Sequence, residues 1–203
     1  MYRRFGKRLF DVLLAGLVLV VLAPLFALIA LLIRLTTDGP VFYVQERIGK
    51  DGKPFPFIKF RTMVVEAETQ GAGILCLKDD PRVTTIGKIL RRVSLDELPQ
   101  LLNVLRGEMS VIGPRPGLAY QVSKYTPEQR RRLSVRPGLT GWAQVNGRNS
   151  ITWEKRIERD LEYVQRMSFA MDLLIVLRTV PAMLMSTNQI AERDYFKELT
   201  DAR

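Results

Sequence analysis

From Val12 to Ile33 the chain reads VLLAGLVLVVLAPLFALIALLI, without a single charged side chain. As a helix rising ~1.5 Å per residue, that run is about 33 Å long, enough to cross the hydrocarbon of a bilayer. A membrane element is therefore the first constraint on the fold. The run is longer than the apolar region of a signal peptide, and the Arg34-Leu35-Thr36-Thr37 that follows offers no small-residue cleavage site. Two features argue against a straight span. Pro24 sits near the centre, where it deletes a backbone hydrogen bond and crowds the preceding turn, so a sharp bend is expected. Arg3, Arg4, Lys7 and Arg8 precede the run, and Arg34, Arg47, Lys50 and Lys53 follow it. Basic flanks on both sides place both ends in the cytoplasm by the positive-inside rule. A re-entrant hairpin that enters one leaflet and returns satisfies both features, with an ordinary spanning helix as the alternative.

At 203 residues the chain accommodates one modest globular domain beside this element. The expected division is 1–36 for the membrane-embedded segment and 37–203 for a catalytic domain. Thirty-one Lys and Arg against 21 Asp and Glu leave a net charge of +10, which calls for an anionic partner such as acidic lipid, nucleic acid or a phosphorylated substrate. The lone Cys76 rules out an intrachain disulfide and fits a reducing compartment. With no histidine at all, Ser-His and Cys-His chemistry and histidine-bound metals are excluded, so proton work falls to carboxylates.

Two apolar stretches, Val41 to Gly49 and Pro54 to Phe60, flank the turn signal Lys50-Asp51-Gly52-Lys53 and predict a β-hairpin. Ile86 to Val93 is basic and amphipathic, Leu98 to Leu105 reads as helix, Ser110 to Gly117 as a Pro/Gly loop, and Pro127 to Leu133 as a short basic helix. Arg136 to Arg148 is loop-rich. Ile157, Leu161 and Val164 recur at helical spacing and predict a helix over Ile151 to Met167. Leu173 to Met185 is apolar but interrupted by Arg178 and Pro181, and suits a helix lying on the membrane surface. The fold class is thus α/β: a re-entrant membrane helix hairpin, a small β-hairpin and amphipathic interfacial helices around a compact cytoplasmic catalytic domain.

Ser94-Leu95-Asp96-Glu97-Leu98-Pro99 is the most informative stretch for chemistry. A capping box with Ser94 as N-cap and Glu97 reaching back would explain it structurally, but Pro99 would then lie just past the first turn, where proline strains a helix. Asp96 near a helix start is favoured as an ionised carboxylate, able to act as a nucleophile or a magnesium ligand. The protonation of adjacent Glu97 would be coupled to it. Lys88, Arg91 and Arg92 add cations suited to phosphate oxygens. Arg115 stands between Pro114 and Pro116, so its guanidinium rides on a stiff strut suited to a diphosphate, although an exposed turn has the same pattern. Lys59 and Arg61 alternate along the second strand as a basic stripe or a solvated face. Asp160 follows Arg156 at helical spacing, as a surface ion pair would, and Asp172 stands where a helix cap would.

Several segments together resemble the small monotopic phosphoglycosyl transferases of the bacterial sugar transferase family. They are Tyr2 to Asp11 (YRRFGKRLFD), Lys59 to Met63 (KFRTM), Ser94 to Gly107 (SLDELPQLLNVLRG), Met109 to Pro116 (MSVIGPRP), Arg136 to Asn149 (RPGLTGWAQVNGRN) and Ser168 to Asp172 (SFAMD). The likeness runs in order over nearly the whole chain and is to the family's minimal catalytic form. It implies a two-step reaction at the cytoplasmic face of the bacterial inner membrane, the first membrane step of glycoconjugate assembly. Asp96 would attack the β-phosphate of a UDP-sugar, releasing UMP, and polyprenyl phosphate would then take the sugar phosphate from the aspartate. Mg2+ would bind the diphosphate and Asp96, and Glu97 would complete the dyad. Lys59, Arg91, Arg115 and Arg148 are the implied phosphate and nucleotide contacts, with Asp160 and Asp172 orienting them. The family's membrane hinge is commonly a Ser-Pro pair, where this chain has Ala23-Pro24.

A membrane-anchored basic binding protein would account for the charge and the apolar run, but not for the Asp96-Glu97 pair. No aromatic-basic RNA signature or basic DNA-reading helix points to nucleic acid. The expected partners are therefore the UDP-sugar, the polyprenyl phosphate and membrane lipid. The sugar is not legible, and the oligomeric state, monomer or homodimer, stays open.

Overall fold

A computed structural model of the chain describes residues 2–70, 79–147 and 150–184. A π-helical turn, Tyr2–Gly6, leads into α1, Lys7–Thr36. The antiparallel hairpin β1 (Phe42–Ile48) and β2 (Pro54–Phe60) follows, in register from Phe42 opposite Phe60 to Ile48 opposite Pro54. Its connection is a 3-10 turn, Lys50–Gly52, in which Asp51 takes a left-handed φ of 57°. Next come α2 (Thr85–Arg92), a 3-10 turn at Leu95–Glu97, α3 (Gln100–Arg106), β3 (Ser110–Ile112) and α4 (Ala119–Ser123). After a 3-10 segment at Gln129–Ser134 the chain forms β4 (Gly138–Thr140), α5 (Trp142–Val145), α6 (Trp153–Arg166) and α7 (Phe169–Leu184). The mixed α/β class and the hairpin stand as expected. The stretch Ser110 to Gly117 is not all loop, because β3 pairs in parallel with β4 inside the second loop-rich segment. Strands of three residues carry no legible alternation, and their partner is remote in sequence.

α1 is one helix whose backbone stays helical through Pro24, not two arms joined by a non-helical turn. Pro24 and Val20, the residue whose carbonyl loses its partner, both lie on the outward face, so the ring points away from the body of the protein. Leu9, Leu13, Leu17, Val20, Leu28, Leu31 and Leu35 form an exposed apolar stripe along that face. Both ends of α1 are tied to the same folded unit. Near the start, Asp11 accepts from the Ser110 hydroxyl at 2.9 Å and from Val111 N–H at 3.1 Å. Beyond the C-terminus, buried Arg61 donates to the Thr37 hydroxyl at 2.7 Å and to the Asp38 carbonyl. Arg61 thus ties down the chain just beyond the end of α1.

Two apolar clusters carry the fold. Ala15 of α1 packs with Phe55, Phe57, Leu101, Val104, Met109, Ile112, Tyr163 and Ile175, gathering β2, α3, β3, α6 and α7. Ile29 and Ile33 pack with Phe60 and Leu90, and Leu95 and Leu98 rest on this second cluster. The Leu95–Glu97 turn is therefore seated against α2 and β2, on the cluster that also holds the C-terminal half of α1. α7 leaves Phe169, Leu173, Leu174, Leu177 and Val180 exposed, and Phe169 stacks edge-on against Phe10 of α1 with ring centroids 5.8 Å apart. The apolar surfaces of the two helices thus adjoin.

Candidate active site

Ser94 does not cap a helix. It takes a left-handed φ of 56° with no side-chain cap bond, and the chain makes a 3-10 turn before α3 begins at Gln100 behind Pro99. Pro99 decides this, because helix from Ser94 onward would have put proline inside it. Leu95 and Leu98 face the apolar cluster, which leaves Asp96 and Glu97 for the site.

Asp96 is only 8% exposed. Burial, and next the negative charge of Glu97, push its carboxyl up from the usual range, against the pull of Lys59, Arg91 and Arg115. Glu97 is gripped by both ends of the Arg115 guanidinium, with Nη1 donating to Oε2 at 2.9 Å and Nη2 to Oε1. This fork is the strong bidentate geometry that lysine cannot make. Lys59, on β2, holds its ammonium 5.1 Å from the ring centre of Tyr43, its cross-strand partner. Burial lowers the Lys59 pKa, with the nearby Asp96 charge opposing. Arg91 reaches over from α2, where its Nε donates to the Thr62 hydroxyl at 2.8 Å. The structure thus brings Lys59, Arg91, Asp96, Glu97 and Arg115 together from four separate segments.

The remaining sequence candidates divide. Asp160 is not a surface acid. It is 1% exposed and pairs with Arg132, and burial raises its pKa to about 6 despite that arginine. Arg132 in turn donates to the Arg115 carbonyl at 3.2 Å, so Asp160 stands behind the Arg115 strut. Asp172 does not cap α7; the Ser168 hydroxyl does, accepting from Met171 N–H at 3.3 Å. Asp172 is fully buried in a separate cluster, where it meets Lys7 at 3.0 Å and accepts from Tyr163 at 2.8 Å and from Tyr2. Lys7 also pairs with Asp11 at 2.9 Å, so this cluster clasps α1 to α6 and α7. Lys59 and Arg61 do not form one stripe, since Arg61 turns to the end of α1. Arg148 and Cys76 lie outside the described residues.

Sequence reading missed Thr62, Tyr43 and Arg132 as neighbours of the site. Thr62 falls within the KFRTM segment, and the Tyr43–Lys59 pairing follows from hairpin register once the turn is placed. Arg132, in the run Arg130-Arg131-Arg132, reads as solvated charge, and nothing local marks it as the buried member.

Among the described residues no three Asp, Glu, Cys or His side chains group as a metal cage. Magnesium typically takes one or two protein carboxylates together with substrate phosphates and water. Asp96 fits that pattern as a single buried carboxylate raised by burial and by the charge of Glu97, while Glu97 is held by Arg115.

The chain thus joins one helix long and apolar enough to cross a membrane to a domain in which buried Asp96 and half-buried Glu97 lie among fixed cations. Residues 2–186 match the family described as Bacterial sugar transferase, and the chain belongs to that family. It is 47% identical over 180 residues to the uncharacterized sugar transferase EpsL of Bacillus subtilis, covering 89% of this chain and 88% of that one. It is 44% identical over 185 residues to the UDP-glucose:undecaprenyl-phosphate glucose-1-phosphate transferase of Escherichia coli, covering 87% of this chain and 40% of that protein. It is 37% identical over 196 residues to the undecaprenyl-phosphate galactose phosphotransferase of Salmonella typhimurium, covering 89% and 41%.

Proposed function

We propose that the protein transfers a sugar 1-phosphate from a UDP-sugar to undecaprenyl phosphate, through a covalent intermediate on Asp96. The observation that carries this reading is the contrast within the acidic pair. Glu97 is held by both ends of the Arg115 guanidinium, while Asp96 is buried and its carboxyl is pushed up by burial and by Glu97, against the pull of Lys59, Arg91 and Arg115. An aspartate in that setting attacks once it is ionised, a form that Lys59, Arg91 and Arg115 favour and that a cation bound with the donor diphosphate would favour further.

In the first step an Asp96 carboxylate oxygen attacks the donor β-phosphorus. A bond from that phosphorus to oxygen forms, the diphosphate P–O bond breaks, and its electron pair leaves on UMP. In the second step an oxygen of the lipid phosphate attacks the same phosphorus, the acyl phosphate bond breaks, and Asp96 returns as carboxylate. Lys59 and Arg91 hold phosphoryl oxygens as charge develops on them. Glu97, fixed by Arg115, orients the turn that carries Asp96. Bound Mg2+ would supply Lewis-acid neutralisation of the diphosphate, with Asp96 as its protein ligand.

The membrane arrangement belongs to the same proposal. Residues 1–36 embed in the cytoplasmic leaflet without crossing it, and the catalytic domain sits at the cytoplasmic face. Both ends of α1 are anchored to one folded unit, whereas a span would part them by about 30 Å of hydrocarbon. The apolar cluster on which Leu95 and Leu98 rest includes Ile29 and Ile33 of α1, which supports a site near the depth of a lipid headgroup.

Purified protein incubated with a panel of UDP-sugars and Mg2+ tests the reading. Release of UMP without acceptor, with a sugar-phosphate mass added to the peptide containing Asp96, is expected. UMP release that requires the lipid acceptor and leaves no adduct would establish direct transfer instead. Asp96→Asn should end turnover while leaving membrane association intact.

A further inference from the structure

We infer that Arg132 is a positioning residue for the acidic pair: from behind, it locks the strut that carries Arg115, and through Arg115 it fixes Glu97. The inference rests on the proposed reaction for its kinetic consequence, but not for its geometry.

The strut is Gly113-Pro114-Arg115-Pro116-Gly117. Its two prolines have no N–H, so beyond the bond of 2.9 Å from Gly113 N–H to the Thr140 carbonyl it is moored through its own carbonyls. Pro114 O accepts from Gly138 N–H at 2.9 Å and Gly117 O from Ile48 N–H at 3.0 Å, which fixes the two flanks. The carbonyl of Arg115 itself, in the middle, accepts from Arg132 Nη2 at 3.2 Å. Arg132 is 4% exposed, and both of its Nη atoms are bonded. Nη2 also pairs with Asp160, Nη1 donates to the Tyr125 hydroxyl, and the guanidinium lies 5.4 Å from the Tyr125 ring centre and 5.6 Å from that of Trp153. A planar fork with five donors can serve a carboxylate, a phenol and a carbonyl at once while lying against two rings; an ammonium cannot. The line of contact runs from Asp160 to Arg132, to the Arg115 backbone, to its guanidinium and on to both oxygens of Glu97. A shift of the strut would carry the Arg115 fork off Glu97 and take that cation away from the acidic pair.

Two measurements test this, and the first needs no activity. In chemical unfolding, the coupling between Arg115→Gln and Glu97→Gln is measured by a double-mutant cycle, once with Arg132 and once with Arg132→Lys. Coupling should fall by half or more in the lysine background. Unchanged coupling would overturn the inference, whether or not the proposed reaction is correct. The second measurement follows UMP release. Arg132→Lys should lower kcat about 30-fold with donor KM little changed, whereas in an Arg115→Gln background the same change should cost less than about threefold. An equal loss in both backgrounds would mean that Arg132 serves stability alone. If Arg132→Lys does not fold, Asp160→Asn, which loosens Arg132 without removing it, replaces it in both cycles with the same criteria.

Discussion

Gly87 is the position where a single methyl group should reach the chemistry. It lies in α2, four residues before Arg91, and packs against the backbone of Thr62. A Cβ there would stand 2.1 Å from the Thr62 carbonyl oxygen and 2.8 Å from its carbon, whereas ordinary contact begins at 3.4 Å. The deficit is 3.4 − 2.1 = 1.3 Å, and both sides are backbone, so no side chain can swing away to absorb it. Gly87→Ala must therefore slide α2 off the end of β2, stretching the bond of 2.8 Å from Arg91 Nε to the Thr62 hydroxyl and moving Arg91 relative to Asp96. Overpacking of this kind costs about 1–3 kcal/mol of stability. Displacing a substrate-positioning group by ~1 Å costs about 100-fold in rate, or ~2.7 kcal/mol of barrier. The assay is UMP release by a purified, folded variant, with thermal unfolding run in parallel. Gly16→Ala is the control, because nothing lies within 4 Å of a Cβ there, and it should be neutral or stabilise α1 by about 0.5–1 kcal/mol. A folded Gly87→Ala enzyme with turnover within about threefold of wild type would refute the claim that α2 sets Arg91 against Asp96.

Asp96→Asn should melt at a higher temperature than wild type in chelator-containing buffer, although it is inactive, because burial raises that carboxyl and its ionisation near neutrality costs stability; calorimetry showing a lower melting point would contradict this. Asp160 has a folded pKa of about 6 against an ordinary 3.8, so its contribution is favourable at low pH and is lost as pH rises through about 6. Going from about pH 7.5 to about pH 5, wild type should gain about 1.4 kcal/mol relative to Asp160→Asn, measured by denaturant unfolding at each pH. Lysines at Leu17, Val20 and Leu28 together, each costing about 3 kcal/mol near the centre of a membrane helix, should release the protein from membranes in an alkaline wash; retention would mean that the exposed stripe of α1 does not face lipid.

The sequence alone determined those features that depend on short-range chemistry. The uncharged run made α1, the Asp-Gly turn set the β1–β2 register, and the apolar spacing of Ile157, Leu161 and Val164 made α6, because each signal is local and repeats with the period of its element. The Asp96-Glu97 pair and the Pro-flanked Arg115 were legible for the same reason. Tertiary structure decided which charges meet. Arg132 and Arg131 are neighbours in one basic run, yet one is buried against Asp160 and the other is exposed, since only the packing of Tyr125 and Trp153 distinguishes them. Asp160 and Asp172 look alike as helix-borne acids; one stands behind the Arg115 strut and the other clasps α1, and nothing within a few residues of either separates them. Pro24 marked a bend from its own chemistry, but whether α1 continued through it depended on which way the ring faced, and that was set by the clusters gripping Ala15, Ile29 and Ile33. Side-chain type is a property of the chain; the company a buried charge keeps is a property of the fold, because long-range packing alone removes the water that would otherwise make all such charges equivalent.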